Sequence, residues 1–165
     1  PLRPLSIVDP RYFPVMGVET RRASRIIAVD REGRVLLFQF ARASGERYWA
    51  TPGGGLEEGE SFEEAAAREA REELGVDAVG LVPLWERTAE FPFAGRSVLQ
   101  REKYFLLLVP IPEFSEAVLA VQREEGISKP RWWTVGELAH AQETVFPESL
   151  AALLRGIRIP PGAGS

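Results

Sequence analysis

Three glutamates in the first half of the chain are spaced so that their carboxylates could bind a metal ion together. Glu69, Glu72 and Glu73 stand at positions i, i+3 and i+4, and side chains at this spacing share one face of a helix. Three like charges at close range are unfavourable unless a cation lies among them. Carboxylate oxygens are hard ligands that favour Mg²⁺ or Mn²⁺ over zinc. Such an ion can bridge carboxylates to substrate phosphates, polarise phosphorus and lower the pKa of an attacking water.

Local signals place these glutamates on a helix that spans about 62–74. Ser61 followed by Glu64 is typical of a capping box at the start of a helix. Alanines inside the span favour helix, and Gly75 is a typical residue just beyond a helix C-terminus. The sequence therefore predicts that one helix carries all three carboxylates.

The segment 54–76, GGLEEGESFEEAAAREAREELGV, resembles the MutT/Nudix box of hydrolases that cut nucleoside diphosphates linked to another group. The box pattern is G-x5-E-x7-R-E-U-x-E-E-x-G-U, where U is apolar. Its positions are occupied here by Gly54, Glu60, Arg68, Glu69, Ala70, Glu72, Glu73, Gly75 and Val76. Each fixed position is matched by chance roughly 5–10% of the time at average residue usage, so an accidental match is very unlikely. The alternative of a solvated acidic helix face without metal is correspondingly weakened.

The resemblance implies a set of metal ligands. They are Glu69, Glu72 and Glu73, which would hold one to three Mg²⁺ or Mn²⁺ ions. Glu60 and Gly54 are further candidates for contact with a metal ion. Ala70 is small for the apolar position that it fills.

The resemblance also implies an orienting residue and leaves the general base open. Arg68 is predicted to pair with Glu60 or with a helix carboxylate and to hold its partner in place. Glu69 is one candidate base, because in some relatives the matching glutamate activates the water. Other relatives use a glutamate from a distant loop, and Glu124 and Glu125 lie in roughly that region here.

Residues outside the box are candidates for binding the substrate. Trp49 could stack on a base, although core packing is the commoner role of an aromatic side chain. Arg87 and Arg96 could bind phosphates, although each could equally be a surface charge. Glu102 would approach the box helix if its strand faces the cleft. A tight loop of three glycines could let a phosphate approach the backbone closely; these are Gly53, Gly54 and Gly55.

Composition narrows the function classes. The chain has 165 residues, 45% of them hydrophobic, which suits one domain with an adequate core. It has no cysteine, which excludes a thiol nucleophile, a thiolate metal site and disulfides and fits a cytoplasmic protein. No signal peptide is apparent, and no apolar run is long enough to span a membrane. The one histidine, His140, gives little support to a Ser-His-Asp site.

Negative charge is concentrated in the proposed site. The segment 54–76 contains eight acidic residues and two arginines, a net charge of −6, whereas the whole chain carries −4. A polyanionic substrate would be repelled from this segment without divalent cations. No basic stripe is apparent, so a small nucleotide is expected as the partner rather than long nucleic acid.

Hydrophobic patterns predict the elements around the box. The predicted strands are 24–30, 34–40, 78–91 with a break at Pro83, 98–110 and 130–135, and the predicted short helices are 135–141 and 147–155. This alternation predicts an α/β fold with a mixed sheet between helices, and the resemblance implies the Nudix α/β/α sandwich. The domain is expected at 24–156, between an irregular or edge segment at 1–23 and a tail at 157–165. Many relatives form homodimers, so a homodimer is a further expectation.

Two classes of function remain open. The first is a metal-dependent pyrophosphohydrolase acting on ADP-ribose or a nucleotide sugar. Members of the resembled family that cleave ADP-ribose often carry a proline about sixteen positions beyond the box, and Pro92, sixteen residues beyond Val76, slightly favours this substrate. Within this class the alternative substrates are oxidised or non-standard nucleoside triphosphates, or dinucleoside polyphosphates. The second class is a catalytically silent nucleotide sensor, which would be expected to lack one of the box glutamates.

Overall fold

A curved mixed sheet forms the centre of this computed structural model, which describes residues 19–93, 95–110 and 113–157. Its eight strands within these ranges are β1 (Glu19–Val29), β2 (Val35–Ala41), β3 (Arg47–Ala50), β4 (Gly53–Gly55), β5 (Val82–Phe93), β6 (Arg96–Leu108), β7 (Lys129–Trp133) and β8 (Thr144–Phe146). The α-helices are α1 (Phe62–Glu69), α2 (Glu116–Glu124), α3 (Val135–Ala139) and α4 (Leu150–Arg155). A π-helical turn, Ala70–Leu74, continues α1.

The sheet separates between β1 and β2, and this separation creates a cleft. The strand order is β5-β6-β1-β2-β3-β8, with β1 parallel to β6 along its whole length. By contrast, the described pairing of β1 with β2 is limited to Val29 opposite Val35. Farther from that pair, β4 pairs with β1 instead, with Gly53 opposite Arg25. The glycine strand is therefore fixed at the mouth of the cleft.

Helices cover both faces of the central strands, which confirms the predicted α/β sandwich. Ile26 and Ala28 pack in one buried cluster with Ala66 and Ala70 of the box segment. The alternate residues Ile27 and Val29 pack in a second cluster with Leu138, Leu150 and Leu154 of α3 and α4. Strands buried on both faces explain the continuous apolar runs, since neither face can carry polar side chains.

Most of the predicted helices and strands are present with shifted bounds, and three observed strands were not predicted. The first strand begins at Glu19 rather than at residue 24, so part of the supposed irregular segment belongs to the sheet. Residues 1–18 and 158–165 lie outside the described residues. The short strands β3, β4 and β8 were not predicted, and the last helix begins at Leu150 rather than at Pro147. No helix in the described ranges is long and apolar enough to cross a membrane.

Candidate active site

The box segment forms one helical element, as predicted, but its last turn is not an α-helix. Ser61 accepts a hydrogen bond from the backbone N–H of Glu64 at 3.1 Å, which is one half of the predicted capping box. The segment ends at Gly75, whose φ of 69° is the left-handed conformation that favours glycine at this position. Between them the π-helical turn adds a residue to the last turn, a feature frequent at functional sites.

Glu69 and Glu73 form a close pair beside the glycine strand. Glu73 is buried, and its Oε1 accepts a hydrogen bond from the backbone N–H of Gly53 at 3.2 Å. Burial, followed by a hydrogen bond and charge repulsion from Glu69, raises the pKa of Glu73 to about 9. Two carboxylates held together at this cost are a suitable place for a divalent cation, which would compensate both charges.

Glu72 is the most exposed of the three predicted ligand glutamates. Its side chain is 49% exposed, and it forms an ion pair of 3.4 Å with Nη1 of Arg68, the same nitrogen that pairs with Glu69. In the described ranges no three acidic or histidine side chains stand at metal-ligand spacing.

Arg68 links several parts of the site. Its Nε and Nη2 donate to the two oxygens of Glu60 at 2.8 and 3.0 Å, and its Nη1 donates to Glu69 at 3.0 Å. The Nη2 group also donates to the carbonyl of Gly55 at 3.0 Å. Hydrogen bonds from Arg68, followed by one from the backbone of Glu57, lower the pKa of Glu60 to about 2. The predicted pairing of Arg68 is confirmed with both kinds of partner, Glu60 and a helix carboxylate.

The three glycines form a strand rather than the predicted tight loop. Gly53 has a φ of 134°, and a Cβ there would overlap the carbonyl of Ser24 on β1. A Cβ on Gly54 would lie 2.5 Å from Oε1 of Glu69. Glycine is therefore required at Gly53, where the Cβ would meet backbone, whereas at Gly54 the Cβ would press against the carboxylate of Glu69. The contact also fits Gly54 as a neighbour of a cation held by Glu69.

A cavity of ≈ 360 Å³ opens beside this site, in the cleft between β1 and β2. Glu73 and Gly53 line it, as do two residues predicted from the sequence, Arg87 and Glu125. Glu125 follows α2 directly and is exposed at the cavity rim, whereas Glu124 is the last residue of that helix.

Two predicted substrate-binding residues lie elsewhere. Trp49 is buried in the second cluster, with its ring edge-on to Trp133 and its indole N–H donating to Glu143 at 2.9 Å. Because side chains alternate along a strand, its neighbour Tyr48 lines the cavity instead. Arg96 is exposed at the start of β6, four residues before Gln100, the first residue of this strand in the cavity wall. The prediction that Trp49 stacks on a base is wrong, and that for Arg96 stays a prediction.

The cavity residues of β1 were not predicted from the sequence. Arg21 and Arg25 line the cavity, and Arg25 lies opposite Gly53 in the pairing of β1 with β4. The alternating charges of this strand were the available signal, but they fell largely in the segment expected to be irregular. Glu102, which the sequence left conditional on the direction of its strand, does line the cavity.

Comparison with known proteins gives one consistent family. Residues 19–154 match the family model of the NUDIX domain, a range that includes the box and the whole cavity wall. An RNA pyrophosphohydrolase from Sphingopyxis alaskensis is 31% identical over 149 residues, which cover 83% of this chain and 89% of that protein.

Solved structures share the fold. A MutT protein from Bacillus halodurans superposes with a TM-score of 0.63 at 25% identity, over 84% of this chain and 85% of that one. A MutT NUDIX hydrolase from Burkholderia pseudomallei gives a TM-score of 0.62 at 22% identity, over 85% of this chain and 99% of that one.

Proposed function

The chain belongs to the Nudix family of hydrolases and is a pyrophosphatase, and from that premise we propose that it cleaves the diphosphate linkage of a nucleoside diphosphate derivative. The observation that carries this proposal is the cavity, which joins the buried carboxylate Glu73 and the glycine backbone at Gly53 to arginine and aromatic side chains. Arginine binds phosphate oxygens and aromatic rings stack on bases, so the lining suits a nucleotide.

The family generally uses divalent metal ions, and the residues of this site fit one. We assign Glu69 and Glu73 as the principal ligands, with Glu72, Glu60 and Gly54 as further candidates for one to three Mg²⁺ or Mn²⁺ ions. A bound ion would neutralise charge developing on phosphorus and lower the pKa of the attacking water. The close pairing of the Glu69 and Glu73 carboxylates supports this assignment, and so does the position of Gly54 directly beside Oε1 of Glu69.

The remaining residues orient the substrate and move protons. Arg68 holds Glu60 and Glu69 by charge-assisted hydrogen bonds and so fixes the position of the ligand carboxylates. Gly53 lines the cavity, where its lack of a side chain would let a phosphate approach the backbone closely. Glu69 and Glu125 are the two candidates for the general base, and Glu125 is favoured by its place at the cavity rim.

ADP-ribose and nucleotide sugars are the first substrates to test, with oxidised or non-standard nucleoside triphosphates as the alternative. Pro92, whose spacing from the box slightly favoured ADP-ribose, lies in β5 opposite Ser97. A second candidate is the phosphorylated end of an RNA, because the relative from Sphingopyxis alaskensis carries the name RNA pyrophosphohydrolase. The net charge of −4 supports the small nucleotide, since an RNA chain would be repelled.

A substrate panel tests the proposal. The pure protein is incubated with Mg²⁺ and ADP-ribose, nucleotide sugars, nucleoside triphosphates, a dinucleoside polyphosphate and a 5′-triphosphorylated RNA, and products are identified by mass. We expect a nucleoside monophosphate from at least one small nucleotide. Tight binding without turnover of any compound would instead identify a nucleotide sensor, although the full set of box glutamates argues against it.

Replacing Glu73 by glutamine tests the metal site directly. Glutamine keeps an oxygen to accept the hydrogen bond from Gly53 but removes the charge, so the fold should survive. We expect kcat to fall at least about a hundredfold, since a metal ion supplies several kcal/mol of stabilisation and about 1.4 kcal/mol is tenfold. Glu63→Gln makes the same change at an exposed position of α1 and should leave the rate unaltered. Near-normal kcat in Glu73→Gln would remove Glu73 from the metal site.

A further inference from the structure

Arg25 lies where the glycine strand meets the cavity. Its Cα is opposite that of Gly53 in the pairing of β1 with β4, and the N–H of Gly53 donates to Oε1 of Glu73 at 3.2 Å. Burial, followed by a hydrogen bond and charge repulsion from Glu69, raises the pKa of Glu73, and the positive charge of Arg25 opposes this rise. Since Arg25 and Glu73 also line the same cavity, one guanidinium is placed beside a principal metal-ligand candidate.

Glu102 fixes the position of Arg25. Its Oε1 pairs with Nε of Arg25 at 3.4 Å and accepts a hydrogen bond from Nε2 of Gln100 at 2.7 Å, while its Oε2 accepts one from the Tyr104 hydroxyl at 2.8 Å. Burial disfavours its charged form, but the charge of Arg25 and these hydrogen bonds outweigh burial and lower the pKa of Glu102. Because both oxygens of Glu102 are already bonded inside the protein, the carboxylate fits a counter-ion of Arg25 better than a metal ligand or a general base.

The outer half of the Arg25 guanidinium is open to a ligand. Its Nε contacts Glu102, whereas its two terminal amino groups make no hydrogen bond with any residue that the structure describes. The side chain of Arg25 is 25% exposed, against 9% for that of Glu102, and it lines the cavity, so a ligand in the cavity can reach these amino groups. The planar fork of a guanidinium suits the oxygens of a phosphate.

We propose that Arg25 is a catalytic residue that binds the diphosphate to be cleaved through its terminal amino groups, and that Glu102 is the positioning residue that holds it there. This inference rests on the proposed function and deepens it. When water attacks one phosphorus, the bond from that phosphorus to the bridging oxygen breaks and its electron pair stays on that oxygen, while a proton of the water passes to a carboxylate. Arg25 stabilises the negative charge that grows on the diphosphate oxygens during this step.

This arrangement needs a guanidinium rather than any positive charge. Arginine can bond to its counter-ion through Nε and to phosphate through its terminal amino groups at the same time. Lysine has a single nitrogen, which would be drawn to the buried carboxylate of Glu102. Arg25→Lys should therefore lower kcat/KM, for the substrate that the panel identifies, nearly as much as Arg25→Gln. Recovery of the parent rate in Arg25→Lys would overturn the inference.

Substitution of both partners separates catalysis from folding. Arg25→Gln should lower kcat/KM at least about tenfold through loss of charge-assisted hydrogen bonds to phosphate, but it also leaves Glu102 buried without a counter-charge, which destabilises the fold. The double variant Arg25→Gln, Glu102→Gln has neither charge of the pair, so its melting temperature should return toward that of the parent. Its kcat/KM should nevertheless stay at least about tenfold below the parent value. Recovery of activity together with stability would show that the pair is only structural.

The split between kcat and KM tests the catalytic role of Arg25. The oxygens that it binds carry more charge in the transition state than in the bound substrate, so part of the loss in the double variant should appear in kcat. A loss confined to KM would make Arg25 a residue of substrate binding alone and overturn its catalytic role.

A double-mutant cycle tests whether Glu102 acts through Arg25. Glu102→Gln in the parent protein should lower kcat/KM at least about threefold, because Arg25 loses its anchor, but should change it less than about twofold when residue 25 is already glutamine. Additive effects of the two substitutions would mean that Glu102 contacts the substrate or a metal ion itself, and its positioning role would be disproved.

Arg101→Gln and Glu86→Gln are the matched controls. These two residues pair with each other at 3.0 Å, and both side chains are about half exposed. Arg101 lies on the face of β6 opposite to that of Glu102, since side chains alternate along a strand. Each control removes the same charge as its counterpart at the site and should leave kcat/KM unchanged. An equal loss in Arg101→Gln and Arg25→Gln would overturn the inference, whereas the proposed function would stand, because hydrolysis is still observed.

Calorimetry with inorganic pyrophosphate in Mg²⁺ decides the question if no compound of the panel is cleaved. That result would count against the proposed function but not against the contact of Arg25 with a diphosphate. Binding at least about tenfold weaker in the double variant than in the parent protein would support the contact. Equal binding in the two proteins would overturn it.

Discussion

Arg68 contacts two box carboxylates and the glycine strand at once, so its charge matters more than that of a surface arginine. Both Arg68 and Glu60 are largely buried, with side-chain exposures of 16% and 12%. Removing the guanidinium would leave Glu60 and Glu69 without a counter-charge. We expect Arg68→Ala to lower the free energy of unfolding by about 2 kcal/mol, as for loss of hydrogen bonds between charged groups, and to reduce kcat by displacing Glu69.

Urea unfolding and steady-state assays measure the two effects of Arg68→Ala. The control is Arg123→Ala, which removes an exposed arginine that pairs with Glu116 at 3.6 Å on the surface of α2. That pair should contribute less than about 1 kcal/mol. Equal destabilisation by both substitutions would show that the bonds of Arg68 are no stronger than a surface pair. An unchanged rate in Arg68→Ala would disprove its positioning role.

At the level of single residues, spacing in the sequence predicted some of the side chains at the site but not others. The box pattern identified Glu69, Glu73 and Arg68, because local spacing on a helix fixes which side chains are neighbours. It could not distinguish Tyr48 from Trp49, because which of two adjacent strand residues faces the cavity depends on strand register. Register is set by partners distant in sequence, such as Phe40 opposite Tyr48.

The π-helical turn and α2 form a supporting unit behind Glu73. Nε2 of Gln122, a buried residue of α2, donates to the backbone carbonyl of Glu73 at 2.8 Å. Gly75 ends the turn against α2, where a Cβ would lie 2.7 Å from Cγ2 of Val118. The turn was not predictable, since its residues favour ordinary α-helix and its geometry depends on these contacts with α2.

Gly75→Ala tests whether this contact fixes the turn. Alanine at a φ of 69° is strained by about 1–3 kcal/mol, and contact with Val118 adds to that cost. Gly80→Ala is the matched control, because Gly80 has a φ of 75° but nothing within 4 Å of the added Cβ. Thermal unfolding should therefore show a larger loss for Gly75→Ala, accompanied by a lower kcat. Equal losses of thermal stability in the two variants would mean that α2 moves to accommodate the added methyl group without disturbing the turn.

At the scale of the whole molecule, the position of the cleft follows from the way the sheet separates. The alternation of strands and helices along the chain predicted the sandwich, and the continuous apolar runs of its strands fit burial on two faces. They could not predict that β1 leaves β2 after Val29, or that a strand of three glycines takes its place, since glycine is depleted in strands. For that reason the cavity and its arginines could not be predicted from the sequence.

The concentration of negative charge in one segment predicts that a divalent cation stabilises the whole fold. The segment 54–76 carries −6 in a chain of net charge −4, and its most buried carboxylate, Glu73, is held against Glu69. A cation that binds only the folded protein adds about 2.7 kcal/mol at a hundred times its Kd. Melting in Mg²⁺ should therefore occur several degrees higher than in EDTA, at about 2–4 °C per kcal/mol for a chain of this size.

Glu73→Gln should abolish most of this shift, whereas Glu63→Gln, an equal change of charge on the exposed side of α1, should keep it. A shift that survives in Glu73→Gln would mean that the stabilising ion binds elsewhere.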